Sequence, residues 1–496
     1  MKRKGLRWWV IAMIALAAVI NYIDRQAFSV LWEAEIGTQM YPNPTFSDQE
    51  LIDLYSKDKF DEQASLGLME KWKGEQGWEE GDPVPTISTQ ELIGKYGDAA
   101  FKVQGNKGLT NVYGSEERSR IYGNIGTVFI LFYAFGQMLF GRIFDKLGTR
   151  IGFVLSLGVW SLATALHAFA KGVFSFSIMR ALLGLSEAGN WPGAAKGNAE
   201  WFPTDERAIA QGIFNFGASF GAMISIPVIG ILALNFSWQT IFIMIGAAGL
   251  IWLIPWMWIV KGPPKTHPWI TQQERDYILS GQENESKDGE EEESQSYGEI
   301  LSKKESWGVI IASAAIDPIW WLFVIWIPNY LVNVYQMDVK GIAIYGWVPF
   351  FGAMLGAWFG GLIAKYFFNK GMSVDKVRKR TIAIGCAIML PGLLAMISPG
   401  SPVMAVLIMA VILFGFQTAI GNIQTIPSDL LSGKSVGTLS GLSGMAAKLA
   451  AAGLTYLVPI VVISFDYSAV FVIGAVLVLI VIASIWLLCP KIEPLK

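Results

Sequence analysis

Six charged residues lie within long apolar stretches of this sequence: the acids Asp24, Glu187 and Asp317, and the bases Arg25, Arg180 and Lys448. A charge at the centre of a membrane helix costs about 2.5–3.5 kcal/mol on insertion scales, so charges that are kept there usually have a function. A buried carboxyl group is disfavoured in its charged form and can therefore exchange a proton. A buried guanidinium can hold an anion. These residue types predict a site for an anion and for exchangeable protons.

The spacing of four of these residues allows them to share one cavity. Arg180 and Glu187 are seven residues apart, which places them on one helix face about 10 Å apart along the axis. Asp24 and Arg25 could join them from the first apolar stretch. On one interpretation, Arg25 or Arg180 binds an anionic substrate while Asp24 and Glu187 carry coupling protons. On the other, the four residues form structural ion pairs, and Arg180 in particular could serve mainly as the partner of an acid.

The elements that must position these residues are membrane helices. Of the 496 residues, 53% are hydrophobic and only 16% are charged, and the mean hydropathy is +0.43. An ordinary soluble chain is about 25% charged, so the composition excludes a soluble enzyme and a disordered scaffold. The net charge of −2 excludes a nucleic-acid binder, which needs an excess of positive charge.

Apolar runs long enough to cross a bilayer predict the fold class. A hydrocarbon core of ~30 Å needs about 20 apolar residues per helix. Twelve such runs predict an all-α integral membrane protein with twelve transmembrane helices, at 8–32, 121–144, 151–170, 173–195, 208–234, 237–260, 306–335, 341–368, 379–397, 402–427, 437–463 and 466–489.

The distribution of Lys and Arg predicts the orientation of these helices. Positive residues favour the cytoplasmic loops, and here they cluster at the N-terminus, between the second and third runs, after the fourth run, and between the eighth and ninth. Both termini are therefore predicted to be cytoplasmic. Cys386 and Cys489 each lie inside a predicted helix, which provides no disulfide framework. We predict neither a metal site nor a cofactor.

The twelve predicted helices form two halves of six, residues 1–260 and 306–496, joined by a cytoplasmic linker at 261–305. This layout is typical of transporters with two repeats around a site at the membrane midplane. In the linker, Thr271 followed by Glu274 predicts a capping box that starts a short helix. The acidic, Ser-rich run near 290–293 predicts a solvated spacer.

A long polar segment, residues 33–119, separates the first two predicted helices and falls on the extracytoplasmic side. Ser47 with Glu50, and Ser88 with Glu91, match capping boxes and predict two helix starts. We expect a small, partly helical cap outside the membrane. Its role could be to gate entry, to bind a partner, or only to decorate the surface, and decoration is the preferred interpretation.

The loop from Gly141 to Arg150, GRIFDKLGTR, matches G-x-x-x-D-[RK]-x-G-x-[RK], the loop signature of the major facilitator superfamily. A carboxylate at a helix end can accept hydrogen bonds from backbone N–H groups and pair with cations. Asp145 and Arg150 are therefore predicted to form an ionic lock that is specific to one conformation. The alternative is an ordinary basic loop. The corresponding loop of the second half has Lys365 where the acid would stand.

Two glycine patterns predict helix packing rather than catalysis. Gly217 to Gly221 matches the G-x-S-x-G elbow of hydrolases, but that motif needs a strand before it and lies here inside the fifth apolar run. We interpret it as a small-residue packing face. Gly352, Gly356 and Gly360 form a similar face on the eighth run. The sequence contains no ATP-binding P-loop, so we predict neither an enzyme nor an ATP-driven pump.

Several motifs resemble the anion:cation symporter family of the major facilitator superfamily and, within it, the bacterial hexuronate transporters. They are NYIDRQ at 21–26, EAGNWP at 187–192, EWFP at 200–203, GLRWW at 5–9, ERDYI at 274–278, WIP at 326–328, SD at 428–429 and GLSGM at 441–445. The resemblance covers nearly the whole chain except 33–119. It implies that two six-helix halves rock about a central site and carry a sugar acid together with protons.

The resemblance also implies roles for single residues. It places proton coupling on Asp24 and Glu187, and substrate contact on Tyr22 and Arg25. Further candidates for substrate contact are Tyr133 and Gln137, four residues apart on the second helix, and the amides Asn422 and Gln424 near the end of the tenth. Trp320 and Trp321 could stack on a sugar face or anchor the helix at the membrane interface.

Two features depart from the family pattern. The 33–119 insertion is longer than the usual first external loop, and Lys448 puts a cation in a helix that is usually apolar there. Lys448 could pair with Asp317, contact the substrate or alter the coupling.

The leading hypothesis is a monomeric, proton-coupled importer of a hexuronate or related sugar acid in the bacterial inner membrane. The alternatives are a sugar-acid receptor that does not transport, and a sodium-coupled transporter of another organic anion or of phosphate.

Overall fold

The computed structural model describes residues 5–76, 87–202, 207–286, 297–430 and 435–493, and every long regular element among them is a helix. In chain order the helices are α1 (Leu6–Leu31), α2 (Gly37–Met40), α3 (Asp48–Tyr55), α4 (Lys57–Glu75), α5 (Thr89–Tyr96), α6 (Asp98–His167), α7 (Val173–Glu187), α8 (Asn190–Trp201), α9 (Arg207–Ala233), α10 (Trp238–Ile259), α11 (Gln272–Ser286), α12 (Tyr297–Ser302), α13 (Lys304–Tyr335), α14 (Val339–Tyr345), α15 (Val348–Asn369), α16 (Val374–Ala395), α17 (Pro402–Leu430) and α18 (Ser435–Leu488). A π-helical turn, Trp32–Ile36, follows α1.

The chain divides into two compact units. The smaller unit is Gly37–Tyr122, and the larger comprises Met1–Ile36 and Gly123–Lys496. Two long helices contain a break in the larger unit. Gly148 interrupts α6 with a φ of +73°, and Asp466 interrupts α18 with a φ of +67°. A positive φ strains most residues, and glycine adopts it without a steric cost, which explains the glycine at position 148 of the loop.

The smaller unit has its own apolar core, formed by Leu51, Phe60 and Leu109. The Ser47 and Ser88 hydroxyls each accept a hydrogen bond from the backbone N–H three residues on, and the glutamate there accepts one from the backbone N–H of the serine. Both predicted helix starts are therefore confirmed as capping boxes. Helix α6 begins at Asp98, well before the apolar run that predicted the second transmembrane helix. The apolar run does not reveal this start, because the first turns of α6 are polar.

Nine helical segments among the described residues are long and apolar enough to cross a membrane. They are Leu6–Met40, Asp98–Gly141, Lys146–His167, Ile213–Ala233, Trp238–Ile259, Lys304–Tyr335, Val339–Asn369, Pro402–Pro427 and Gly441–Leu488. The protein is therefore a multi-pass membrane protein.

Both predicted glycine faces lie at close helix crossings, which confirms their interpretation as packing surfaces. A Cβ added at Gly217 of α9 would lie 2.6 Å from the carbonyl oxygen of Ala15 in α1. At Gly356 of α15 an added Cβ would lie 2.2 Å from the carbonyl oxygen of Phe414 in α17. Only glycine allows two backbones to approach so closely. These crossings fix α1 and α17 within the larger unit.

The linker helix α11 caps the first helix of the chain. Thr271 accepts a hydrogen bond from the Glu274 N–H at 3.3 Å, as predicted, but the Glu274 side chain does not complete the box. Its carboxylate instead accepts hydrogen bonds from the backbone N–H groups of Gly5, Leu6 and Arg7 at 2.9–3.3 Å, and from the Arg7 guanidinium at 2.9 Å. These N–H groups belong to the start of α1, where no helical partner exists. The predicted acidic spacer, near 290–293, lies outside the described residues.

Candidate functional site

A buried ion pair joins Arg25 of α1 to Glu187 of α7. The Arg25 Nη2 and Nε atoms both donate to Glu187 Oε1, at 2.7 Å and 3.0 Å. Arg25 Nη2 also donates to Asn21 Oδ1 at 3.2 Å. The Arg25 side chain is 4% exposed and the Glu187 side chain is 0% exposed. The structure therefore brings together two of the charged residues singled out in the sequence.

Local backbone structure explains where Glu187 lies. Glu187 is the last residue of α7, and the chain passes through Ala188 and Gly189 before α8 begins at Asn190. The last carbonyl groups of a helix lack helical partners, and the Asn21 side-chain amide donates to the Glu187 carbonyl oxygen at 3.5 Å. The sequence predicted one continuous helix through 173–195, and the structure instead has this break.

Glycines also bring α7 against α6. A Cβ at Gly136 would lie 2.1 Å from the Leu185 carbonyl oxygen, and one at Gly184 would lie 2.3 Å from the Phe129 carbonyl oxygen. This close crossing places Tyr133 of α6 beside the ion pair.

Four aromatic rings surround the Arg25 guanidinium, and we call them the aromatic cage. The distances from Arg25 Cζ to the ring centroids are 4.8 Å for Tyr22, 4.9 Å for Trp321, 5.2 Å for Tyr133 and 6.0 Å for Phe129. Such cation–π contacts stabilise a desolvated guanidinium. Tyr22 and Tyr133, predicted to contact a substrate, are thus both in contact with Arg25.

A second ion pair also lies beside Trp321. Lys448 Nζ of α18 lies 2.6 Å from Asp317 Oδ2 of α13 and 5.6 Å from the centroid of the Trp321 ring. Of the roles that the sequence left open for Lys448, pairing with Asp317 is the one observed. Trp320 is also buried, stacked on Phe416 with centroids 5.5 Å apart, so both indoles lie in the protein interior.

Asp24 and Arg180 lie close enough to Glu187 for their charges to interact with it. The Asp24 carboxyl is fully buried beside Thr164 and Trp160. The Arg180 guanidinium carbon lies 4.4 Å from the Phe28 ring centroid and 4.7 Å from that of Phe129. Phe129 therefore contacts two cations, because it also belongs to the aromatic cage.

The other predicted contact residues have the following neighbours. Gln137 is half-buried, and an added Cβ at Gly444 would lie 3.9 Å from its Oε1. Asn422 accepts a hydrogen bond from Arg378 Nη1 at 3.2 Å, and Gln424 is exposed. Sequence reasoning missed Arg378, which also pairs with Asp429 at 2.8 Å. Arg378 belongs to the basic cluster between the eighth and ninth apolar runs, and that cluster indicates only the orientation of the helices.

The loop signature is only partly described. Arg150 Nη1 donates to the carbonyl oxygen of Lys261 at 3.2 Å, and the Thr149 N–H donates to Glu200 Oε2 at 3.4 Å. The side chain of Asp145 lies outside those that the structure describes. The ionic lock of Asp145 and Arg150 therefore stays a prediction.

Ion pairs buried inside a bundle of membrane helices are typical of helical membrane transporters, and this is the class of protein that the fold and the site indicate. Comparison with known sequences makes this more specific, because residues 109–453 match the model of the Major Facilitator Superfamily. The hexuronate transporter of Escherichia coli (strain K12) is 32% identical over 367 residues, which cover 74% of this chain and 84% of that protein. The galacturonate transporter of Dickeya chrysanthemi is 32% identical over 280 residues, or 56% of this chain and 79% of that protein.

Solved structures share the fold. A bacterial homologue of the human lysosomal transporter Spinster, inward-facing and occupied, has a TM-score of 0.62 at 15% identity and covers 98% of each chain. The inward-open xylose transporter XylE of E. coli has a TM-score of 0.61 at 14% identity, covering 96% of this chain and 95% of that one. This chain belongs to the Major Facilitator Superfamily, and its relatives are transporters rather than enzymes. The resemblance to sugar-acid transporters is confirmed.

Proposed function

We propose that the protein imports a hexuronate or a related sugar acid by proton symport. The observation that carries this proposal is the Arg25–Glu187 pair, a buried cation held by a buried acid inside an aromatic cage. Relatives named as hexuronate and galacturonate transporters support the substrate class. The proposed substrate group at Arg25 is the sugar carboxylate.

In this proposal the Arg25 guanidinium binds either the Glu187 carboxylate or the substrate carboxylate. This exchange couples substrate binding to the proton on Glu187. Glu187 Oε1 takes both hydrogen bonds from Arg25, while Glu187 Oε2 is buried without a hydrogen-bond partner among the described residues. A proton on Glu187 neutralises this carboxylate and frees Arg25 for the substrate carboxylate. Loss of the substrate to the cytoplasm then lets Glu187 release its proton and return to Arg25. Asp24 is the second proposed proton carrier.

The proposed architecture has twelve membrane helices in two halves. Three spans would be added to the nine that length and composition identify. Gly441–Leu488 would be about 72 Å long as one helix, more than twice the ~30 Å core, so the break at Asp466 makes it two. Interrupted helices α7 and α8 supply another. The third is α16, whose first turns carry charged residues.

We further propose that residues 1–260 and 306–496 rock about the Arg25 site as alternating halves. Residues 33–119 would form an insertion outside the membrane, and both termini would be cytoplasmic. Asp145 with Arg150, and Arg180, would bias the conformational equilibrium, and Gln137, Asn422 and Gln424 would contact sugar hydroxyls during the cycle. The proposed working form is a monomer in the bacterial inner membrane.

A proteoliposome competition panel tests the proposed function. The purified chain is reconstituted, and uptake of labelled glucuronate is measured with glucuronate, galacturonate, galactonate, glucarate or neutral glucose as competitor, with and without a pH gradient. We expect competition by the acids alone and accumulation that requires the pH gradient. Binding without flux would instead favour a receptor, and dependence on a sodium gradient would favour a sodium-coupled carrier.

A further inference from the structure

The Asp317–Lys448 pair differs from the Arg25–Glu187 pair in its accessibility. The side chains of Lys448 and Asp317 are 15% and 11% exposed, against 4% and 0% for Arg25 and Glu187. Every residue of α13 from Ala315 to Leu331 is buried, so Asp317 is not on a lipid-facing surface. The exposed part of the Asp317 side chain therefore faces away from the lipid.

Trp321 connects the two ion pairs. Its ring lies 4.9 Å from the Arg25 guanidinium carbon and 5.6 Å from Lys448 Nζ, so cations from α1 and α18 share one aromatic wall. Its indole N–H is buried and has no hydrogen-bond partner among the described residues. A buried indole N–H usually finds a partner. Two cations and an unused donor on one wall form a surface for a ligand with more than one anionic group.

We propose that Lys448 is a second anion-binding position and that the preferred substrates among the sugar acids are diacids, six-carbon chains with a carboxylate at each end. This inference rests on the proposed function, since Arg25 must hold the first carboxylate. The second carboxylate would accept a hydrogen bond from another N–H of the Lys448 ammonium, which has three donors, and a hydroxyl between the two carboxylates would accept a hydrogen bond from the Trp321 N–H. A monoacid gains nothing from the Lys448–Asp317 pair.

The competing view is that Asp317 and Lys448 only tie α13 to α18. A variant that removes only one of the two charges does not distinguish anion binding from a structural role. The remaining charge would be left buried and unpaired, at a large cost in stability. The double variant Asp317→Asn/Lys448→Gln removes both charges and keeps two groups that can hydrogen-bond. The matched control is Asp375→Asn/Lys379→Gln, which neutralises another pair, 2.7 Å apart on α16.

The experiment measures inhibition of glucuronate uptake by unlabelled glucuronate and glucarate in proteoliposomes. We expect the wild type and the control to bind glucarate more tightly than glucuronate. In the double variant this preference for glucarate should fall about tenfold or more, because the variant loses one charge-assisted hydrogen bond to the second carboxylate. Parallel weakening of both substrates would overturn the inference.

A ligand series on the wild type keeps the test independent of folding in the variant. Glucarate has two carboxylates, whereas glucuronate and gluconate have one, so glucarate should be the strongest inhibitor. Equal or weaker inhibition by glucarate would also overturn the inference while leaving the proposed function intact. If no sugar acid is taken up at all, the proposed function itself fails.

Discussion

At the scale of single residues, the chemistry depends on how Glu187 holds Arg25. Both hydrogen bonds that Glu187 accepts from the guanidinium end on one of its oxygens, and the rings of the aromatic cage lie over the guanidinium. In the proposed mechanism, a substrate carboxylate replaces Glu187 at the guanidinium. This exchange makes binding sensitive to the shape of the cation as well as to its charge.

Arg25→Lys should weaken sugar-acid binding about tenfold or more. An ammonium keeps the charge but has neither the planar fork nor the stacking surface that the aromatic cage contacts. Isothermal titration with the purified protein measures the change. Arg120→Lys, at an exposed ion pair with Glu117, is the control and should bind as the wild type does. Unchanged binding by Arg25→Lys would show that the substrate is held elsewhere.

Glu187→Gln should separate binding from coupling. The amide cannot exchange a proton, so counterflow of labelled substrate should persist while accumulation driven by a pH gradient is lost. Asp24→Asn gives the parallel test for the second proposed proton carrier. Full concentrative uptake by Glu187→Gln would contradict its coupling role.

The sequence could identify the charged residues of the site but not their pairing. Asp24, Arg25 and Glu187 were recognisable because a charge in an apolar run is costly and rare. Their neighbours depend on tertiary structure, since Trp321 and Glu187 lie far along the chain from Arg25. The same reason explains why Arg378 was used only as a topology marker.

At the scale of helices, glycine contacts decide how closely two backbones approach. Gly356→Ala should destabilise the protein by about 1–3 kcal/mol, because the added methyl group overlaps the Phe414 carbonyl oxygen. Thermal unfolding in detergent, followed by intrinsic fluorescence, measures the loss. Gly361→Ala on the same helix is the control, because an added Cβ meets nothing within 4 Å among the described residues. Equal melting temperatures for the two variants would refute the packing argument.

Glu274 offers a second test at this scale. Glu274→Ala leaves the N–H groups at the start of α1 without their acceptor and should cost about 1–2 kcal/mol, the usual range for a lost helix cap. Asp276→Ala, an exposed acid on the same helix, is the control. The comparison is again a thermal melt, and a Glu274→Ala variant as stable as the control would rule out the capping role.

Helix existence was easier to predict than helix ends. Capping boxes at Ser47 and Ser88 were readable because each is local, with both partners within three residues. The contacts of the Glu274 side chain could not be predicted, because its partners lie about 270 residues away in the chain. Likewise, apolar runs do not show where α6 begins or where α7 ends, since polar turns continue one helix and a glycine turn interrupts the other.

At the scale of the whole molecule, the family and the helical fold followed from composition and motifs, whereas the number of spans and their orientation remain predictions. Both native cysteines are buried, so a single introduced cysteine reports its own position. A membrane-impermeant maleimide should label Glu62→Cys in intact cells, and Lys265→Cys only after permeabilisation. Both positions are exposed. The reverse pattern would invert the proposed orientation.

The contact between Glu274 and the start of α1 has a mechanical consequence. Because the Glu274 carboxylate holds α11 against the start of α1, we expect α11 to move with the proposed first half, although it follows that half in the chain. During a rocking cycle, spin labels on α11 and α1 should keep a fixed separation. Labels on α11 and α16 should instead show two distances. Helix α11 therefore provides a fixed reference for measuring the proposed movement of the second half against the first.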